Sequence, residues 1–203
     1  MIYLIRHGQT LYNAQDRVQG RVDSALTPLG EAQARAMGER LAGIRRAEGG
    51  EWRLETSPLG RARQTAAIVA ELAGLPEPVV DERLVEVGYG VFEGLTRAEL
   101  EAAWPQFSGL NGIFGRAPGG ETFEELRARV ADWLAEARAR AASRRTVVVT
   151  HAGVARTLRG LCLGLDLDAI RALDKPQGVI FRLADGAEER LECASLPSRA
   201  GGR

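Results

Sequence analysis

The chain has 203 residues, 45% of them hydrophobic, which is enough for one sizeable core and favours one domain over two. Its 27 basic residues balance its 27 acidic ones, so no global field points to nucleic acid or to a membrane surface. No apolar run is long enough to span a bilayer, the chain enters a strand-like run at once without a signal peptide, and Cys162 and Cys193 have no metal spacing, so a cytoplasmic protein with reduced thiols is expected.

The first predicted element is a strand, Ile2 to Ile5, which ends in Arg6-His7-Gly8 where the chain must turn. Gln9 to Leu26 is polar, turn-rich and long for a simple connection, which marks functional loops; it carries Asn13, Gln19 and Gly20. Thr27-Pro28 reads as an N-cap followed by proline at the first helical position. Leu29, Ala32, Ala36, Met37, Leu41 and Ile44 would form that helix's apolar stripe. Trp52 to Thr56 reads as the second strand. Ser57-Pro58 repeats the cap-plus-proline signal and puts Arg61 in the first turn of the next helix. Val79-Val80 is a short third strand, followed by a glycine-punctuated loop, Glu82 to Gly94, with Glu86 and Glu93.

Thr96 to Trp104 reads as a short helix that Pro105 ends, and Gln106 to Gly120, with five glycines, as a loop over the site. Thr122-Phe123-Glu124-Glu125 fits a capping box ahead of a helix that buries Phe123, Leu126, Val130, Trp133 and Ala137. Thr146 to Thr150 is a further strand and leads through His151 into a helix with Val154, Leu158, Leu161 and Leu165. Gly178 to Leu183 and Glu189 to Cys193 form a final hairpin around Asp185-Gly186. Strands alternating with helices imply a three-layer α/β/α sandwich with a mostly parallel central sheet. It would be one domain over residues 1–197, with 95–121 as a cap region and 198–203 as a loose tail.

His7 and His151 are the only histidines, and each lies just past a buried-looking strand beside a small-residue turn. Ligands of open α/β sheets bind at the carboxyl ends of strands, so the two imidazoles are expected to share one site. Arg6 and Arg61 reach the same edge, and two guanidinium groups can clamp the oxygens of a phosphoryl group. A positioned imidazole can attack phosphorus and form a covalent intermediate. Backbone N–H groups at the helix starting near Ala152 would add anion-binding donors. An ester oxygen leaves far better once protonated, which calls for a carboxyl group; spacing alone leaves Glu82, Glu86 and Glu93 open. Arg63 and Glu93 read as structural, and Arg97 and Arg116 as solvated surface.

Leu4-Ile5-Arg6-His7-Gly8-Gln9-Thr10 resembles the signature of the histidine phosphatase superfamily, in its phosphoglycerate mutase-like branch. The likeness continues through Gln19-Gly20, Leu26 to Gly30, Ser57 to Ala66, Glu86 to Gly94, Gly120 to Thr122 and Val149 to Gly153, in that order. The resemblance implies His7 as the nucleophile and Arg6, Arg61 and His151 as the rest of the phosphate pocket. It adds Asn13 and Gln19 as further hydrogen-bonding groups, Gly20 and Ala152 as phosphate- or substrate-binding positions, and Glu86 as the proton donor. Gln9 stands where many members carry Glu, and Ala152 where many carry Gly. No metal ion and no cofactor are implied, because arginine and imidazole build the clamp.

Three functions fit the resemblance: a phosphomonoester phosphatase, a 2,3-bisphosphoglycerate-dependent phosphoglycerate mutase, and an inactive phosphate-binding module. In mutases of this family the segment before the second histidine is longer and carries basic residues; here it offers chiefly Arg97 and Arg116. Gln19 is also the residue type of phosphatase members. The expectation is therefore a phosphatase acting on a small phosphorylated metabolite. Sugar phosphates, the ribazole phosphate of cobalamin synthesis and a broad range all stay open, as does a homodimer.

Overall fold

Every residue from Ile2 to Ile5 is buried, and that decides the layering. A strand buried on both faces needs cover on both sides. The structure, a computed structural model, describes residues 1–107, 117–140, 144–184 and 186–193. Its six strands are β1 (Ile2–Arg6), β2 (Glu51–Thr56), β3 (Val79–Val80), β4 (Arg144–Thr150), β5 (Val179–Ala184) and β6 (Ala187–Glu192). They form one sheet in the order β3-β2-β4-β1-β5-β6. β1 to β4 run parallel, and β5 runs antiparallel to both β1 and β6.

The helices are α1 (Leu11–Ala14), α2 (Pro28–Glu48), α3 (Gly60–Ala73), α4 (Arg97–Ala103), α5 (Phe123–Arg140), α6 (Ala152–Leu163) and α7 (Leu167–Ala172). Alternate residues of the central strands serve opposite layers. Tyr3, Ile5, Val147 and Val149 pack with Met37 and Leu41 of α2 and Ala66 and Val69 of α3. Ile2, Leu4 and Val148 pack with Leu126, Val130 and Trp133 of α5 and Val154 and Leu158 of α6. The expected three-layer α/β/α sandwich with a mostly parallel sheet is the fold.

Local signals held where a side chain could satisfy its own helix. Thr27 caps α2, accepting from Gly30 N, and Thr122 with Glu125 makes the capping box ahead of α5. They failed where a side chain had a distant partner. α3 starts at Gly60, not after Ser57, because the Ser57 hydroxyl is taken by His151 Nε2 and Leu59 N. Its cap comes from another loop: Asp23 Oδ2 accepts from Gly60 N at 2.6 Å and Oδ1 from Arg61 N at 3.3 Å. The buried side of α2 includes Gln33 and Ala34, while Leu29, Ala32 and Ile44 are half-buried. Gln33 is inside because its Oε1 accepts from Gln9 N at 2.8 Å. The first loop also contains an unforeseen helical turn, α1, closed by Thr10 and Asn13 in a capping box.

The expected cap region begins with α4 and a 3₁₀ turn at Pro105–Phe107. Phe92 is fully buried against Trp104 and Phe107, with ring centroids 5.5 and 5.2 Å away. Residues 108–116, Arg116 among them, Asp185 of the hairpin turn and the tail 198–203 lie outside the described residues. Cys162 and Cys193 are both free thiols. Among the described residues, no helix is long and apolar enough to cross a membrane.

The turn after β1 is held by a backbone-on-backbone contact. A Cβ on Gly30 would lie 2.0 Å from the Gln9 carbonyl oxygen, and one on Gly8 would lie 2.2 Å from the Gly30 oxygen. Gly43, on the same helix, has open space around it. Gly30→Ala should therefore lower stability by ~1–3 kcal/mol, as overpacking does. Gly43→Ala should raise it by up to ~1 kcal/mol, because an exposed helical glycine only costs chain entropy. Urea unfolding of the two variants checks this; equal effects would mean that the Gly8–Gly30 contact does not constrain the turn.

Candidate active site

The parallel pairing of β1 with β4 sets Arg6 level with Thr150, so His7 and His151 leave adjacent strands side by side. His7 N donates to Thr150 O at 2.9 Å across the seam. The imidazole rings have centroids 5.1 Å apart and are inclined by 59°. Both expected neighbours arrive: Arg61 Nε donates to His7 Nε2 at 3.3 Å, and Arg6 lines the same cavity. That cavity, about 490 Å³, opens at the carboxyl edge of the sheet.

His7 Nδ1 lies 2.7 Å from the carbonyl oxygen of Gly8, which accepts only if that nitrogen carries the proton. The lone pair is then on Nε2, the atom turned toward Arg61. Ser57 Oγ accepts from Leu59 N and lies 2.7 Å from His151 Nε2. His151 Nδ1 is buried and has no hydrogen-bond partner among the described residues. Arg6 Nε and Gln19 Nε2 are likewise buried donors without a hydrogen-bond partner among the described residues. Buried polar groups are normally paired, so these unpartnered atoms on three sequence-nominated residues set the site apart from a settled core.

Arg61 is 2% exposed and fully engaged: Nη2 donates to Gly20 O, and Nη1 to Val22 O and to Asp23. Gly20 thus contributes a carbonyl that holds Arg61. Its φ of 54° and the Glu93 carboxylate, 2.2 Å from where a Cβ would stand, explain the glycine. Glu86 is buried, and its carboxylate accepts from Gly153 N and Val87 N. The start of α6 therefore holds a protein carboxylate beside the cavity, while Ala152 lines it. Asn13 Oδ1 accepts from Thr10 N and from Gln177 Nε2, and Gln19 Oε1 from the Thr10 hydroxyl. Glu93 is structural, as expected, accepting from Arg21 N and Tyr89 N.

Sequence reading missed four contributors. Lys175 O accepts from Arg6 Nη1, and Gln177 Nε2 donates to His7 O at 3.1 Å. Arg156, on α6, lines the cavity, and Asp23 fixes Arg61. Lys175 and Gln177 sit in an irregular segment before β5 that carried no motif; Arg156 lies one turn beyond Ala152, where helical spacing could have found it. Arg97, read as solvated surface, also lines the cavity, because α4 packs beside the first loop. Among the described residues no group of three His, Cys, Asp or Glu could hold a metal ion.

Burial, then the charges of Arg61 and Arg6, hold His7 well below the ordinary histidine range. Burial, then Arg61, His7 and Arg6, does the same for His151. Burial is the larger cause for both rings, and the like-charge repulsion of the arginines adds to it. Burial also pushes Arg6 down to about 10, so it stays cationic at neutral pH. Both imidazoles are depressed in the folded state, so they cost nothing above the unfolded value of ~6.5. Below it the unfolded chain takes up protons that the folded chain refuses, and stability falls by up to ~1.4 kcal/mol per pH unit for each histidine. Urea unfolding between pH 7.5 and 5 should show this loss, reduced in His151→Gln. An unchanged slope in that variant would mean that His151 protonates freely in the fold.

Residues 2–191 match the model of the histidine phosphatase superfamily (branch 1). A Klebsiella pneumoniae protein named "Probable phosphoglycerate mutase GpmB" is 39% identical, over 99% of this chain and 88% of its own. A mycobacterial glucosyl-3-phosphoglycerate phosphatase is 33% identical, with a TM-score of 0.76 over 89% of this chain and 90% of its own. YhfR of Bacillus stearothermophilus is 31% identical, with a TM-score of 0.76 over 93% of each chain. The paired strand-end histidines, their arginines and a match over nearly the whole length place this chain in the histidine phosphatase superfamily.

Proposed function

We propose that the chain is a phosphomonoester phosphatase that works through a phosphohistidine on His7. The observation that carries this reading is one cavity lined by His7, Arg6, Arg61 and Gln19, with Arg6 Nε and Gln19 Nε2 buried and unpartnered among the described residues and the His151 ring 5.1 Å from that of His7. A phosphoryl group offers three acceptor oxygens, and fixed donors stabilise the charge that builds on them during transfer. Arg61, held by Gly20, Val22 and Asp23, keeps its Nε–H at the His7 Nε2 edge, where a phosphoryl group bonded to that nitrogen would meet it. His7 Nε2 forms the bond to phosphorus as the ester oxygen leaves, and Glu86 gives that oxygen its proton. Water then attacks the phosphohistidine, Glu86 takes a proton from it, and the phosphate released restores the imidazole.

A mutase is the second reading, favoured by the name of the Klebsiella relative and by the cavity cations Arg17, Arg97, Arg156 and Lys175. Hydrolysis fits better because two of these four are already neutralised. Arg97 pairs with Asp16 and Arg17 with Glu99. The cap elements among the described residues are knit by Phe92, Leu100, Trp104 and Phe107, which hold no anion. The expected outcome is phosphate release from monoesters, with weak 3- to 2-phosphoglycerate conversion that 2,3-bisphosphoglycerate barely stimulates. Parallel assays decide, and rapid cofactor-stimulated conversion with negligible phosphate release would make the enzyme a mutase. Activity should also survive exhaustive chelation; a loss restored by added metal would break the metal-independent mechanism.

Glu86→Gln keeps the carbonyl that α6 holds and removes the proton. It should slow turnover of alkyl phosphates by about 10²–10⁴, the usual worth of a general acid. Nitrophenyl phosphate, whose leaving group needs no proton, should be slowed far less. Equal slowing of both in a pre-steady-state burst would remove Glu86 from this role.

A further inference from the structure

Glu121, in the Gly120-Glu121-Thr122 motif, does not line the cavity around His7; it lines a separate cleft with Arg21, Glu125 and Arg129. Its side chain is only 9% exposed, and a buried carboxylate is costly unless it is paired. Arg129 pairs it in the bidentate manner: Nε donates to Oε1 at 2.6 Å and Nη2 to Oε2 at 2.8 Å. Oε2 also accepts from Gly88 N at 3.4 Å and lies 3.5 Å from Arg21 Nη2.

This pair holds the chain on both sides of Glu86. Before it, in the 3₁₀ turn Glu82–Leu84, Arg129 Nη1 donates to Arg83 O at 2.6 Å. The next carbonyl, Leu84 O, accepts from the Thr150 hydroxyl at 2.8 Å. After it, Glu121 N donates to Gly88 O at 2.8 Å while Glu121 Oε2 accepts from Gly88 N. Gly120 permits that approach, since a Cβ there would lie 2.6 Å from Gly88 O. Arg21 Nε donates to Glu86 O itself at 3.4 Å. Residues 83 and 88 are thus bridged by two side chains joined through charge-assisted bonds. The hydrogen bonds of the Glu86 carboxylate run elsewhere, to Val87 N and Gly153 N.

We infer that Glu121 and Arg129 are positioning residues for Glu86: from outside the cavity they fix the segment that presents its carboxyl to the leaving oxygen. The inference rests on Glu86 being the proton donor and extends that reading to two residues that do not line the cavity. A general acid must come within about 2.6–3.2 Å of the oxygen it protonates. A misplacement of about 1 Å can cost about 10²-fold. α5, which carries Arg129, is anchored in the core by Leu126, Val130 and Trp133, so the clamp refers Glu86 to a fixed element. A pair that only stabilised the fold would, when broken, slow every substrate alike.

The test reads kcat/KM for an alkyl phosphate divided by kcat/KM for nitrophenyl phosphate. Each value reports transfer to His7, and any loss of folded enzyme cancels in the ratio. Glu86→Gln should lower this ratio, because only the alkyl ester needs the proton. Glu121→Gln should lower it by about tenfold, a part of the about 10²–10⁴ that a general acid supplies. Arg129→Lys keeps the charge, but one ammonium cannot replace a fork that holds Glu121 and Arg83 O together, so the ratio should fall there too. Should Glu121→Gln not fold, Arg129→Lys carries the test alone. In a Glu86→Gln background, Glu121→Gln should leave the ratio where the first change put it, because the two act through one proton transfer. An unchanged ratio in Glu121→Gln and Arg129→Lys, with a lowered one in Glu86→Gln, overturns the inference and leaves Glu86 as the donor. A fall in Glu121→Gln that Arg129→Lys does not share assigns the effect to charge and also overturns it, as does a fall that adds to that of Glu86→Gln. A ratio that Glu86→Gln itself leaves unchanged removes the donor reading, and the inference with it.

Discussion

The pairing of β1 with β4 is the constraint on which the site depends. Tyr3 stands opposite Val147 and Arg6 opposite Thr150, so both strands end at the same height. A slip of one residue would exchange the layers to which Ile2, Leu4 and Val148 belong and those of Tyr3, Ile5 and Val149. Register is thus fixed by two apolar cores, and the separation of the imidazoles follows from it. The cores do not feel the histidines, yet they set a 5.1 Å centroid distance between them. Gly8 and Gly30 then let α2 approach the turn that follows His7 with no room for a Cβ at either position.

Burial does the electrostatic work at the site. Removing His7 and His151 from water disfavours their charged forms before any neighbour is counted, and the arginines add to that. The same burial leaves polar atoms that water would otherwise satisfy. Arg6 Nε and Gln19 Nε2 are two such atoms, buried without a hydrogen-bond partner among the described residues. The acidic groups are placed with restraint. Asp23 faces Arg61 from the far side, and Glu86 is tied to the first turn of α6.

The fold was legible because its signals are periodic and local. Alternating strands and helices, the Thr27 cap and the Thr122 box each depend on residues a few positions apart. That Arg6, His7, Arg61 and His151 come together was legible because each lies at an element boundary within an ordered set of motifs, whereas Glu86 was singled out from Glu82 and Glu93 only by the family resemblance. What escaped depends on contacts across long sequence distance. Ser57 looked like a cap and is instead partnered by His151, 94 residues away. Asp23 caps a helix 37 residues downstream. Lys175 and Gln177 enter the site only because β5 returns antiparallel beside β1, a pairing that no local pattern in residues 174–178 announces.

That return strand ties the outer edge of the sheet to the chemistry. β5 carries Phe181 under the Arg159 guanidinium, and β6 supplies the Glu188 that grips the same group. Arg159 fixes Asp174, and the next residue, Lys175, receives Arg6 on its carbonyl. Arg6 is thus positioned from two directions, by β1 behind it and by the β5 approach in front. Gln177 does the same for the backbone at His7. Clamping both ends of a short segment removes the freedom that a loop ligand site would lose on binding. The final hairpin, which adds no histidine and no motif, is therefore part of the site through geometry alone.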